Sequence, residues 1–271
     1  MTEIPRLPVP TWFVGCGNMG QAIVGGWRAA GIDLSSTVAI RPSGLPVTGV
    51  RTVAKLADAG APPRLVILGI KPQKLDEVAP QLATWLTGRT TIVSLLAGAE
   101  AASLRKRFPT AGAIARAMPN VTVGIRRGVI ALYSEDADDK TRLELSQLFA
   151  ALGFAPWMAD EAKFSAVGGI AGSGPAYVAR FIAALTRAGE QRGLSNEIAS
   201  TIAIETVLGT GWLAAAGGES MNDVARRVAS PNGTTEAGLA VLDAGLDRLV
   251  ADTLDAAADR GAQLAEAARL S

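Results

Sequence analysis

The stretch Thr11-Trp12-Phe13-Val14-Gly15-Cys16-Gly17-Asn18-Met19-Gly20 decides how the rest of the chain is read. Its first four residues, apolar or β-branched, predict a short buried strand. Glycines spaced Gly-x-Gly-x-x-Gly follow at once and open a helix-length segment, residues 19–30. The first glycine permits a tight turn, the second lets the backbone approach a pyrophosphate, and the third allows the helix to pack on the strand. A helix that begins there presents unpaired N–H groups and the positive end of its dipole. Gly15, Gly17, Asn18, Met19 and Gly20 are therefore candidate dinucleotide-binding residues, against the plainer reading of a glycine turn without ligand. Cys16 packs or points into the turn.

Working outward, similar short runs recur at residues 37–41, 65–70, 90–95, 113–118 and 129–133, with helix-length segments at 74–86, 99–108 and 137–152. Such alternation predicts βαβ units and a mostly parallel, buried sheet. After Phe154 the pattern changes. Residues 175–192, 196–216, 221–229 and 235–269 are Ala- and Leu-rich at helical spacing, and Gly193, Gly217-Gly218 and Pro231 stand where helix ends belong. The expected fold class is α/β: an N-terminal Rossmann-like dinucleotide-binding domain over residues 1–158, followed by an all-α C-terminal dimerisation domain over residues 159–271. A helical half so rich in alanine exposes much apolar face when alone, so a homodimer that buries it is expected.

Composition narrows the chemistry. The 271 residues are 49 % hydrophobic and 19 % charged, a globular balance with length for one large domain or two ordinary ones. Histidine is absent, which removes the commonest general base and metal ligand; no Ser-His-Asp triad exists, and no metal site is expected. One cysteine, Cys16, forbids an intramolecular disulfide and favours a reducing compartment, the cytoplasm. Residues 1–6 lack the apolar core of a leader peptide. No run approaches the ~18 uncharged apolar residues of a membrane span, so no membrane partner is expected. Up to residue 155 the chain has 17 Lys and Arg against 11 Asp and Glu, and beyond it 9 against 14. The basic residues are scattered and aromatics make up only 5 %, which suits an anionic small ligand and not a nucleic acid.

Other loops complete the candidate set. An acidic residue after the second strand would bind a free ribose 2′-hydroxyl and repel a 2′-phosphate. The chain has Arg41-Pro42-Ser43 there, so NADP is preferred over NAD, the rival reading being a solvated surface arginine. Lys71-Pro72-Gln73, Ala97-Gly98 and Met118-Pro119-Asn120 lie at the ends of later strands, where open α/β sheets bind ligands; each is also an acceptable ordinary turn. In the helical half, Gly172-Ser173-Gly174-Pro175 opens a helix, either for close packing or for ligand contact. Ser230-Pro231-Asn232-Gly233-Thr234-Thr235-Glu236 begins the last helix with several hydroxyls, as a receptor for a small carboxylate or as plain N-capping.

Together these motifs resemble one family, the pyrroline-5-carboxylate reductases, NAD(P)H-dependent enzymes that complete proline biosynthesis. The likeness spans the chain: Gly-x-Gly-Asn-Met-Gly from Gly15, Lys71-Pro72-Gln73, Ser94 with Ala97-Gly98, Arg116-x-Met118-Pro119-Asn120, Gly172-Ser173-Gly174-Pro175-Ala176-Tyr177, and Ser230-Pro231-x-Gly233-Thr234-Thr235. The resemblance implies a helical domain interleaved with a partner subunit, in homodimers and, further, decamers. It places Gly15 to Gly20 on the pyrophosphate and Arg41 and Ser43 near the adenosine ribose. Lys71, Pro72, Ala97, Gly98 and Asn120 fall beside the cofactor, NADP(H), with NADH as an alternative donor. Ser230, Gly233, Thr234 and Thr235 fall on the substrate carboxylate, with Thr235 next to the imine nitrogen as the catalytic residue. Glu161 and Glu219 match acidic positions along the substrate pocket.

The chain departs from the family pattern at Asn232, where a second glycine is usual, at Val121-Thr122 in place of Thr-Pro, at the bulky Leu95-Leu96, and in lacking any asparagine between Asn18 and Asn120. These departures bear on cofactor preference and on which ring is reduced. The implied reaction is hydride transfer to the C=N carbon of a cyclic imino acid, giving L-proline. The imine arrives as an iminium or takes a proton from Thr235 or water, so no histidine is needed. The rivals are a reductase of another cyclic imine, since one ring methylene changes binding by only ~1–3 kcal/mol, and a non-catalytic NADP-binding protein. A β-hydroxyacid dehydrogenase is disfavoured: it relies on a lysine, and Lys163 is the only one after residue 162, with no asparagine until Asn196.

Overall fold

The structure, a computed structural model, describes residues 4–270, with side chains as far as residue 263. Met1, Thr2 and Glu3, on which the leader-peptide expectation partly rests, lie outside these residues. The chain divides into two compact units, one running to Ser173 and including the chain from Ala258 onward, the other spanning Gly174–Ala257. The division falls after the expected 158/159 boundary because α5 (Glu161–Val167) and the π-helical turn Gly168–Gly172 group with the sheet.

The first unit is built on an eight-stranded sheet of order β3-β2-β1-β4-β5-β6-β7-β8. Six strands are parallel: β1 (Thr11–Val14), β2 (Thr37–Ile40), β3 (Arg51–Val53), β4 (Leu65–Leu68), β5 (Thr91–Ser94) and β6 (Ala113–Pro119). β7 (Gly128–Tyr133) runs antiparallel to β6, and the two-residue β8 (Gly153–Phe154) runs parallel to β7. The central strands are buried on both faces, and their alternation decides which side chain serves which face. Trp12, Val14, Val66, Leu68, Ile92 and Ile114 share a core with α2 (Leu75–Ala83) and α3 (Ala101–Arg107). Phe13, Ile67, Val93, Ala115 and Ala117 share the other with α1 (Asn18–Ala29) and α4 (Asp139–Ala150). In that second core the Trp27 ring lies 5.8 Å from Phe13 and 5.9 Å from Phe149, and its indole N–H donates to Leu148 O at 2.9 Å. Strand order reverses between β1 and β4, so the crevice outside their C-terminal ends is the switch point at which such sheets bind ligands.

The second unit is helical: α6 (Gly174–Glu190), α7 (Asn196–Gly217), α8 (Met221–Val228), α9 (Thr234–Asp243) and the part of α10 (Leu246–Leu270) up to Ala257. Ser195 and Ser220 cap α7 and α8, accepting the N–H groups of Ile198 and Asp223. Segment 235–269, expected as one helix, breaks at Ala244-Gly245, where glycine's freedom makes continuation costly. Among the described residues of this unit only Thr186, Ala199, Ala203 and Val224 are buried, while Val178, Phe181, Ile198, Ile202, Leu208 and Val241 are exposed. α7 is apolar on nearly all sides. With a mean hydropathy of 1.4 over a membrane-length window it is long and apolar enough to cross a membrane by length and composition, although it holds no uncharged run of ~18 residues. Glu197 and Glu205 interrupt it.

Candidate active site

The C-terminal ends of the parallel strands carry the first set of loops. Gly15 follows β1 with φ +77°, and a Cβ there would stand 2.6 Å from Ile70 Cγ2 and 2.8 Å from Gly69 O, so only glycine lets β1 and β4 end side by side. Gly17 is the N-cap of α1; no side chain caps it, and a Cβ built on it meets nothing within 4 Å. The first intrahelical bond runs from Gln21 N–H to Gly17 O at 2.9 Å, so the N–H groups of Asn18, Met19 and Gly20 ahead of it have no partner within the helix. A Cβ on Gly20 would lie 2.9 Å from Cys16 Sγ and 3.6 Å from Phe13, which is how α1 comes down onto β1. The cradle at Gly17 and the uncapped helix mouth fit a pyrophosphate in shape and charge.

Arg41 closes β2. Its Nη1–H donates to Leu45 O at 3.1 Å, and Ser43 Oγ accepts the Leu45 N–H at 3.4 Å, which folds a short exposed loop beside the glycine turn. Burial pushes the Cys16 thiol up to about 11, and the Arg41 charge pulls the other way, so the guanidinium stands close enough to the glycine turn to be felt there. Lys71 is exposed after β4, and Pro72 opens the 3₁₀ turn Pro72–Lys74. Ala97 and Gly98 are exposed after β5, Gly98 at φ +76°, and α3 begins three residues on at Ala101.

Three candidate side chains also have partners within the fold. Asn120 is buried, with Nδ2 donating to Ala171 O at 3.1 Å and Oδ1 accepting from Thr122 Oγ1 at 2.8 Å and Val129 N–H at 3.2 Å. Glu161, expected along a substrate pocket, uses Oε1 to pair with Arg116 Nη1 at 2.6 Å and to accept the Ala101 N–H at 2.8 Å. Glu219 pairs with Arg227 at 2.9 Å. Sequence reasoning gave Arg116 no role, although a lone charge inside the apolar run 113–118 was a signal that the strand had a buried partner to find.

In the second unit, Ser230 O accepts the Gly233 N–H at 2.9 Å, closing a turn with Asn232 left-handed at φ +56°. Asparagine tolerates that region, so the turn survives the departure from glycine. Asn232 N–H donates to Glu236 Oε2 at 2.6 Å, and a Cβ on Gly233 would run into the Ser230 hydroxyl. Gly233 is the N-cap of α9 and no side chain caps it, so the rival reading of plain N-capping by the hydroxyls is not what the structure holds. The N–H groups of Thr234, Thr235 and Glu236 precede the first intrahelical bond, from Ala237 N–H to Gly233 O at 3.2 Å. Thr235, in the first turn of α9, is half-buried. Two cavities, of about 910 and 250 Å³, share Pro8 and Arg64, which precede β1 and β4 at the end of the sheet away from Gly15, so neither is the site read here from loops and helix mouths.

A sheet that reverses order at β1 and β4, with a glycine cradle at the switch point and a basic residue after β2, defines a dinucleotide-binding oxidoreductase of the Rossmann class, here followed by an all-helical unit. Residues 12–98 match the family model described as NADP oxidoreductase, coenzyme F420-dependent, and residues 161–264 match pyrroline-5-carboxylate reductase dimerisation. The chain belongs to the pyrroline-5-carboxylate reductase family. It is 37 % identical over 262 residues to the pyrroline-5-carboxylate reductase of Pseudomonas aeruginosa, covering 94 % of this chain and 96 % of that one. It is 31 % identical to that of Pisum sativum over 86 % of this chain and 87 % of the other. The structure of a pyrroline-5-carboxylate reductase from Coxiella burnetii matches with a TM-score of 0.87 at 30 % identity, covering 95 % of this chain and 99 % of that one. The Plasmodium falciparum pyrroline carboxylate reductase, solved with NADP bound, shares the fold at a TM-score of 0.83 and 22 % identity, over 93 % and 97 % of the two chains.

Proposed function

We propose that the chain reduces 1-pyrroline-5-carboxylate to L-proline with a reduced nicotinamide dinucleotide, NADPH in preference to NADH. The observation that carries this reading is a pair of glycine-capped helix mouths, at Gly17 and Gly233, both free of side-chain caps and each suited to an anion. When bound, the reduced nicotinamide supplies the hydride that the C=N carbon accepts. The N–H groups of Asn18, Met19 and Gly20 hold the pyrophosphate, with Gly15 permitting the turn beneath it and Gly17 keeping a side chain out of its way. Arg41, freed from Leu45, and Ser43 receive the ribose 2′-phosphate. Lys71, Pro72, Ala97 and Gly98 shape the remainder of the dinucleotide site.

The first turn of α9 holds the substrate carboxylate through Thr234 and Thr235, with Ser230 and Gly233 fixing the turn. The Thr235 hydroxyl hydrogen-bonds the imine nitrogen and, with water, supplies its proton. Orientation of this kind contributes several kcal/mol to a reaction that needs no imidazole. Glu219 acts at a distance, through Arg227. The exposed apolar side chains of α6, α7 and α9 pack against a second copy, so α7 is an interface helix and not a membrane span; decamers would be built from such dimers. The buried, protonated Cys16 suits the cytoplasm.

The test is loss of NADPH absorbance on adding the imino acid, run in parallel with NADH and with the six-membered cyclic imine. Turnover greatest with NADPH and the five-membered ring is expected. No oxidation of either dinucleotide would reduce the chain to a binding protein, and faster turnover of the six-membered ring would reassign the substrate. Arg41→Ala should weaken NADPH about tenfold relative to NADH, as expected for one charge-assisted contact.

A further inference from the structure

Arg116 and Met118 lie in β6 and Asn120 directly follows it, still extended, so alternation puts all three on one side. Each meets a different turn of the segment formed by α5 and the π-helical turn. Arg116 pairs with Glu161 at 2.6 Å and lies over the Phe164 ring at 4.4 Å. Met118 fills the space that any side chain on Gly168 would need, a Cβ there standing 2.6 Å from its sulfur. Asn120 donates to Ala171 O. The motif that looked like a strand-end ligand loop is thus a rail that seats a helix.

One contact leaves the rail and reaches the dinucleotide loops. The Glu161 oxygen that holds Arg116 also accepts the N–H of Ala101, the first residue of α3, three residues after Gly98. Arg116 is only 4 % exposed, and its Nε has no hydrogen-bond partner among the described residues, so its charge is answered by Glu161 and the Phe164 face. A buried guanidinium with a single carboxylate partner holds that carboxylate in one place. α3 has no side-chain cap from its own N-cap residue, and the Glu161 carboxylate takes over that task from 60 residues away.

We propose that Arg116 and Glu161 are positioning residues for the Ala97–Ala101 loop, fixing the path of the backbone that faces the dinucleotide. The proposal rests on the reading that Ala97-Gly98 lies beside the cofactor. The pair acts on the reductant side, and Glu161 is not a substrate ligand.

The full chain is tested as Glu161→Ala, Glu161→Gln and Arg116→Lys, with Arg142→Met as a control that removes a guanidinium lying 4.6 Å from the Trp157 ring in the same unit. Three quantities are read: NADPH affinity by fluorescence without substrate, kcat with both KM values, and Tm. Glu161→Ala should weaken NADPH and lower kcat by about tenfold each, the cost of one charge-assisted tie, while the imino-acid KM stays within about twofold. Glu161→Gln keeps one acceptor oxygen for both donors but loses the charge and should fall between it and the parent, and Arg142→Met should lower Tm without moving either dinucleotide parameter. Wild-type NADPH affinity in folded Glu161→Ala, or a change confined to the imino-acid KM, overturns the proposal. Should Glu161→Ala not fold, the same readings on Glu161→Gln and Arg116→Lys decide it, unchanged NADPH affinity in both overturning it. Gly98→Val separates the two levels: if it binds NADPH like wild type, the placement of the loop beside the cofactor is wrong and the proposal falls with it.

Discussion

Thr235 offers its hydroxyl in the first turn of a helix whose N–H groups no side chain has claimed. Removing that hydroxyl leaves the carboxylate receptor intact, so Thr235→Ala should lower kcat about 10²-fold, in the range of a lost proton donor, with NADPH affinity unchanged by titration. Equal collapse of NADPH binding would show that the residue had been given the wrong task. Cys16 makes a prediction of a different kind. Burial raises its thiol from an ordinary value of 9.0 to about 11, so the folded state holds the proton more tightly than the unfolded chain does. The resulting stabilisation is complete below pH 9 and is lost as pH rises toward 11. Denaturant unfolding at pH 8 and pH 10.5 should show wild type losing more stability over this interval than Cys16→Ala, by up to ~2 kcal/mol.

At the scale of elements, the packing of α1 is set by Gly26. A Cβ there would stand 2.5 Å from Val123 O and 2.6 Å from Leu152 Cδ2, pushing the helix off the 3₁₀ turn Val121–Ile125. Gly26→Ala should therefore cost ~1–3 kcal/mol in chemical denaturation, although alanine is the better helix former. The same contrast between local and distant causes explains what could be read from the chain alone. β1, β2, β4, β5 and β6 were legible because two-sided burial writes a continuous apolar run, and Gly15, Gly17 and Gly20 because each answers a need created by its immediate neighbours. β3 and β8 were not legible: three residues including Arg51 and two including Gly153 carry no pattern, and pairing with a neighbour alone makes them strands. α5 and the π-helical turn hid behind Gly168, Gly169 and Gly172, which read as loop. The partners that Asn120 and Glu161 find within the fold, Ala171 and Arg116, were not legible, because they lie 51 and 45 residues away and no spacing rule reports such a contact.

For the molecule as a whole, the helical unit buries too little of its own apolar surface to account for its order. Ile198, Ile202, Leu208 and Val241 are all about half exposed or more in the single chain. Ile202→Glu should therefore shift sedimentation velocity from dimer toward monomer at micromolar concentration and lower Tm. A variant that remains dimeric at the wild-type midpoint would place the interface elsewhere. An apolar α7 also makes survival a question of company: a newly made copy carries a greasy flank until it meets a sibling, so dilution should inactivate the enzyme progressively, and bystander protein should not rescue it.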